Sequence, residues 1–448
     1  MAPQFFLDYP SIDFSSAGEL TLAGRPVSEL VAEFGSPLVV ILEDVVRANC
    51  RRYRSRFGTY PRSRIYYASK ALLTKGLCRL LMQEGLGIDV VSAGELHTAL
   101  TAGVAPSDIV MHGNAKTAAE LHMAVKAGVG RIVVDNFADI ERLAALASVG
   151  APINLHLRIA PGIKPDTHKY IQTGQVDSKF GFNLVTEGEE SDAFHAAAQI
   201  KQHSGLSLVG IHCHIGSQIM DEGSFTAAAR VMMQFYSRLK HELELPLDEL
   251  NIGGGIAIRY QPGDAPPSVE DHLAGLTQEL LRLSAELKVE PPVLCDEPGR
   301  SIIGEAGVTL YSVQSTKRIP GVRNYAGLDG GMTDNPRYAL YQARHYAMRA
   351  SAAPEARGEV GNEVWSLSGK CCETGDMLIH DTDLPALTAG DIVAMFSTGA
   401  YTYSMASNYN RVPRPAVVLA GSSGVSLLAR RESPEDTARL DEVPAWLA

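Results

Sequence analysis

The chain has 448 residues, 45% of them hydrophobic and 20% charged, with a formal net charge of −11 and a sequence pI of about 5.7. That length exceeds what one compact core usually holds, so two domains are expected. The acidic balance argues against nucleic acid or an anionic membrane surface as a main partner.

The N-terminus has no basic segment followed by an apolar core, and no apolar run approaches the length of a membrane span. The six cysteines (Cys50, Cys78, Cys213, Cys295, Cys371 and Cys372) show neither disulfide nor zinc-ribbon spacing. A reducing cytoplasm is the expected location.

In the first 40 residues, 20–22 and 37–42 read as strands. From residue 64 to 299, eight short apolar runs recur at 64–69, 87–92, 108–113, 131–136, 153–159, 208–215, 249–254 and 292–298. Helical patterns such as 118–127 and 138–147 fill the gaps. Strands alternating with helices imply parallel pairing through crossovers, and eight such units are the count of a (β/α)8 barrel. A doubly wound open sheet is the competing arrangement.

The gap at 161–183, rich in Gly, Thr, Lys and Asp, predicts a long loop at the catalytic face. After residue 303 the runs at 308–313, 325–328, 363–367 and 392–397 are β-rich, without a regular helix after each. They predict a mostly antiparallel β-domain that also takes in the N-terminal strands, with residues 352–361 as an exposed loop. The expected division is a barrel over 43–303 and a β-domain of 1–42 with 304–448.

Lys70 ends the first barrel run, at the tip that faces the active site of such a barrel. A partly desolvated amine there can act as a base or form a Schiff base. Gly253-Gly254-Gly255 follows the seventh run, where backbone N–H groups can approach an anion closely or simply make a tight turn.

His212 and His214 share one strand face, opposite Cys213. They suit a metal pair, an aromatic platform beside the Ser217 hydroxyl, or two core histidines. Glu297-Pro298-Gly299-Arg300 ends the eighth run. Its carboxylate and guanidinium could pair with each other, or serve a cofactor's pyridine nitrogen and an anion. In the β-domain, Cys371 and Cys372 read as small buried hydrophobes, or as a proton donor beside an amine-recognising Glu373. Arg337 and Tyr341, four apart after Pro336, would share the face of a short helix and suit a carboxylate. Tyr401 lies in a turn-rich stretch, where a core tyrosine is the plain reading.

Taken in order, these segments resemble diaminopimelate decarboxylase, a family of pyridoxal 5′-phosphate (PLP) enzymes with an alanine-racemase-like barrel and a C-terminal β-domain. The resemblance runs from Tyr67-Ala68-Ser69-Lys70 through Asp89-Val90-Val91-Ser92, Asp177-Ser178-Lys179-Phe180-Gly181-Phe182 and His214-Ile215-Gly216-Ser217-Gln218. It continues through the glycine triplet, Glu297-Pro298-Gly299-Arg300, Gly330 to Arg337 and Cys372-Glu373 to Asn408-Tyr409-Asn410-Arg411. The order makes the match specific. The chain departs at Leu72, where many members have asparagine, and at Ala257, near which a further glycine is common. Neither departure removes a reacting group.

The resemblance implies that Lys70 forms the Schiff base with PLP and His214 stacks on its ring. It implies that Ser217, Gly253, Gly254 and Gly255 hold the phosphate and that Glu297 faces the pyridine nitrogen. Arg300, Arg337 and Tyr341 would bind substrate carboxylate, and Glu373 the far amine. Cys372 would donate a proton, and Tyr401 would contact both cofactor and substrate.

It also implies a homodimer in which Cys372 and Glu373 reach into the partner's site, and the conversion of meso-2,6-diaminopimelate to L-lysine and carbon dioxide. Competing readings are a decarboxylase for ornithine, arginine or carboxynorspermidine, an amino-acid racemase, a non-enzymatic PLP-binding homologue, and a metal-dependent hydrolase using His212 and His214. Arg337, Tyr341 and Glu373 favour a substrate with both a carboxylate and an amine at its far end.

Overall fold

The computed structural model describes residues 8–57, 60–147, 152–163, 178–184, 190–221, 223–351 and 362–447. The chain divides into two compact units. One comprises Arg47–Ile258 with Ala265–Ile302, and the other Met1–Val46, Arg259–Asp264 and Ile303–Ala448.

The first unit is a closed parallel barrel. Its strands are β1 (Ser63–Ala68), β2 (Gly87–Val90), β3 (Ile109–Met111), β4 (Arg131–Val134), β5 (Ile153–Ala160), β6 (Leu206–Cys213), β7 (Glu249–Asn251) and β8 (Val293–Asp296). Each pairs in parallel with the next, and β8 pairs back onto β1 through Leu294–Ser63 and Asp296–Ile65, which closes the ring. All eight expected runs are strands, and the open sheet is excluded. Tyr66, Val110, Val133, Val293 and Cys295 form a buried cluster from four of the strands, as expected of a packed barrel interior.

The expected runs extend past several strand ends because turn chemistry competes there. Ser92 leaves β2 to accept the Glu95 N–H and cap helix Ala93–Ala102, and Asn136 caps helix Phe137–Leu146 through the Asp139 N–H. Beyond β1 the chain makes a 3-10 turn, Ser69–Ala71, before Thr74 caps helix Lys75–Gln83.

Parts of the long segment 161–183 lie outside the described residues, as does its Asp177. Its far end returns as the short strand Phe182–Asn183, parallel to the end of β5. The Arg158 guanidinium holds that return, 4.2 Å from the Phe180 ring centroid, while the Gly181 N–H donates to Asp135 at 2.8 Å. The loop expected at 352–361 lies outside the described residues.

The second unit is built on Gly307–Ile319, a 13-residue strand. It pairs antiparallel with Leu38–Leu42, Arg323–Leu328 and Ile392–Phe396. Two pairings are parallel, Leu38–Leu42 with Ala416–Gly421 and Arg323–Leu328 with Glu363–Ser368. The sheet is therefore mostly antiparallel, and Leu38–Leu42 joins it as expected. Its core gathers Tyr311, Trp365, Leu367, Val393 and Met395.

Leu20–Leu22 does not join that sheet. It pairs with Ile12–Phe14 and Arg25–Pro26 in a separate three-stranded sheet. Gly18 and Gly24, at φ of 74° and 78°, allow the tight reversals that pair these sequence neighbours with one another.

Candidate active site

The C-terminal ends of the barrel strands gather the groups singled out in the first unit. Glu297 follows β8 and is buried. Its Oε1 accepts from Asn251 Nδ2 at 2.7 Å and meets His112 Nε2 at 2.8 Å, while Oε2 meets His212 Nε2 at 3.2 Å. Burial alone would raise the carboxyl pKa, but the two imidazoles and their hydrogen bonds outweigh it and hold Glu297 well below its ordinary range. Burial likewise opposes charge on His112, yet Glu297 and Asp89, whose oxygen lies 3.9 Å from Nε2, raise it. His212 is pushed by burial down to about 3 and stays neutral. Glu297 is therefore an ionised carboxylate inside the barrel, with Oε1 doubly bonded and Oε2 bonded once.

His212 and His214 do not act as a pair. His212 ends in the Glu297 network, whereas His214, one residue beyond β6, accepts the Gly254 N–H on Nδ1 at 3.3 Å. The cluster with metal-ligand geometry among the described residues is His112, His212 and Glu297, without His214.

Lys70 lies on the 3-10 turn, between the buried Ser69 and Ala71. It is exposed in this chain, not partly desolvated. Its charge still acts on Asp89 and His214, so the amine borders the Glu297 network.

At the other side, the Arg300 guanidinium donates to the Ser217 hydroxyl from Nη2 at 3.0 Å. In the glycine turn two of the three N–H groups are already engaged, Gly253 with Asn251 Oδ1 at 2.9 Å and Gly254 with His214. A Cβ on Gly254 would stand 2.2 Å from the Glu297 carbonyl oxygen, and one on Gly255 2.3 Å from the Gly216 carbonyl oxygen. Only glycine lets β6, β7 and β8 close this tightly.

The donor set fits PLP. An amine stands ready for its carbonyl, and an ionised carboxylate with an open oxygen for its pyridinium N–H. A hydroxyl, a guanidinium and a glycine turn suit its phosphate.

The second unit carries the remaining candidates. Arg337 opens a short helix, Arg337–Tyr341, directly after Pro336 as expected, and its guanidinium lies 5.0 Å from the Tyr260 ring centroid. Cys371 is half-buried and Cys372 exposed, so the reading of two buried hydrophobes does not hold. The Cys372 N–H donates to Asn410 Oδ1 at 3.1 Å, and Glu373 Oε1 takes the Gly375 N–H at 3.0 Å. Tyr401 adopts a left-handed backbone with φ of 59° and is not fully buried.

Sequence reasoning missed His112, Asn251 and Asp89 as partners in the site. The available signal was position, because each is the polar residue at the C-terminal end of an apolar barrel strand.

Residues 43–304 match the family model described as "Pyridoxal-dependent decarboxylase, pyridoxal binding domain". With the closed barrel and its carboxylate, this defines a PLP-dependent decarboxylase. The chain is 42% identical over 426 residues to the diaminopimelate decarboxylase of Bacillus subtilis (strain 168), covering 95% of both chains. It is 40% identical over 438 residues to that of Synechocystis sp., covering 95% of this chain and 91% of the relative. The crystal structure of diaminopimelate decarboxylase from M. jannaschii in complex with L-lysine superposes with a TM-score of 0.90 at 34% identity, over 98% of this chain and 99% of that one. The chain belongs to the diaminopimelate decarboxylase family.

No helix among the described residues is long and apolar enough to cross a membrane.

Proposed function

We propose that the strand-end cluster of the barrel, with Cys372, Glu373, Arg337, Tyr341 and Tyr401 of the second unit, decarboxylates meso-2,6-diaminopimelate to L-lysine and carbon dioxide. The observation that carries this reading is Glu297, a buried carboxylate held ionised by His112 and His212, with one oxygen bonded only once. PLP, when bound, supplies an electron sink for the pair left on the α-carbon as carbon dioxide departs. Glu297 would keep the pyridine nitrogen protonated and so make that sink effective. Lys70 would hold the cofactor carbonyl, and His214 would pack against the ring. Ser217, Arg300 and the glycine turn would hold the phosphate.

Arg337 takes the distal, retained carboxylate of the substrate, and Arg300 and Tyr341 are further carboxylate ligands. The departing carboxylate is left without a tight ion pair, because such a pair would stabilise the ground state more than the transition state. Glu373 reads the distal amine, Tyr401 closes on cofactor and substrate, and the Cys372 Sγ–H delivers a proton to the α-carbon. We further propose a homodimer in which Cys372 and Glu373 of one chain serve the barrel of its partner, in a cytoplasmic enzyme. Domain limits at 43–303, and at 1–42 with 304–448, belong to the same proposal, supported by the family match to residues 43–304.

Borohydride reduction of the PLP-loaded protein tests the cofactor assignment. A phosphopyridoxyl group fixed on the Lys70 peptide is expected, with none on Lys70→Ala. Labelling at another lysine would overturn the assignment.

A further inference from the structure

Asn251 is the last residue of β7 and is fully buried. Its amide touches both ends of the proposed cofactor site. Nδ2 donates to Glu297 Oε1 at 2.7 Å, and Oδ1 accepts the Gly253 N–H at 2.9 Å. The Glu297 N–H closes the circuit on the Gly253 carbonyl at 2.8 Å.

The amide orientation is fixed by these partners. Turned over, it would set an oxygen against a carboxylate and an NH2 against an N–H, which is two repulsions in place of two bonds. Serine has one hydroxyl hydrogen and a shorter reach, and an ionised aspartate has no donor. Gly253 sits at a φ of 69°, which glycine adopts without strain, and the Asn251 bond fixes where its N–H points.

We propose that Asn251 is a positioning residue that couples the carboxylate facing the pyridine nitrogen to the glycine turn facing the phosphate, so that the site grips both ends of PLP as one unit. This rests on the PLP reading above. Side chains that orient a ligand's direct partners commonly change its affinity about 10- to 100-fold when removed.

The test measures equilibrium PLP dissociation by the absorbance of the bound cofactor, not activity. Asn251→Ala is expected to weaken PLP at least about tenfold. In the wild type, removing the phosphate (pyridoxal in place of PLP) and replacing Glu297 by Gln should have non-additive costs, and in Asn251→Ala the two should become additive. Asn251→Asp keeps the volume and guards against an alanine variant that fails to fold. Its protonated carboxyl can still donate and accept, so PLP affinity relative to wild type should fall at least about tenfold as that carboxyl ionises against Glu297.

Affinity within twofold of wild type in Asn251→Ala, unchanged non-additivity, or an aspartate variant that tracks wild type across pH would each overturn the coupling. A wild-type protein that binds no PLP would instead overturn the underlying reading.

Discussion

Glu297 and His112 form an ion pair inside the barrel, and its pH dependence follows from the direction of each shift. Glu297 is held below its ordinary 4.5, so its contribution is present above that value and is lost as pH falls through the lowered pKa. His112 is held above its ordinary 6.5, so its contribution is present below that value and is lost as pH rises through the raised pKa. In cofactor-free protein, His112→Gln keeps a donor to Glu297 but removes the charge. The variant should be less stable by about 1.5–3 kcal/mol between about pH 4.5 and 6.5, a gap that shrinks as pH rises further. Chemical denaturation across pH measures it, and a gap that stays constant into alkaline pH would show that the pair is not ionic.

At the scale of elements, the barrel was legible because strands buried on both faces write near-continuous apolar runs. The partners of Glu297 were not legible. His112, His212 and Asn251 stand 185, 85 and 46 residues from it in sequence, and they meet it through the direct pairing of β7 with β8, the pairing of β6 with β7, and, for β3, the closure of β8 onto β1. The exposure of Lys70 was hidden for a different reason, since the residue lies on a three-residue turn beyond the end of a correctly read strand.

A second buried network lies on β4, β5 and β7, where Glu249 bonds Arg131 Nε at 2.9 Å and His156 Nε2 at 2.7 Å. Its carboxylate, the Arg131 guanidinium and the His156 imidazole come from strands that must register correctly. Glu249→Gln leaves the Arg131 charge without its counter-ion and should destabilise the protein by about 3–5 kcal/mol in urea unfolding. A wild-type midpoint would mean that the network contributes nothing to barrel stability.

For the whole molecule, the proposed dimer places Lys70 and Cys372 of one chain in different sites. Cys372→Ala should keep PLP and lose most turnover, about 100-fold or more, while Lys70→Ala is inactive. Unfolded together in equal amounts and refolded, the two variants should regain about one quarter of wild-type activity, because half of the dimers then carry one intact site. No recovery would place Lys70 and Cys372 in the same chain's site.

Substrate choice tests the proposed function most directly. Purified protein supplied with PLP and, separately, with meso-2,6-diaminopimelate, L-ornithine, L-arginine and carboxynorspermidine should release carbon dioxide and form L-lysine from the first alone. Absence of lysine from diaminopimelate, or faster release of carbon dioxide from one of the other three, would contradict it.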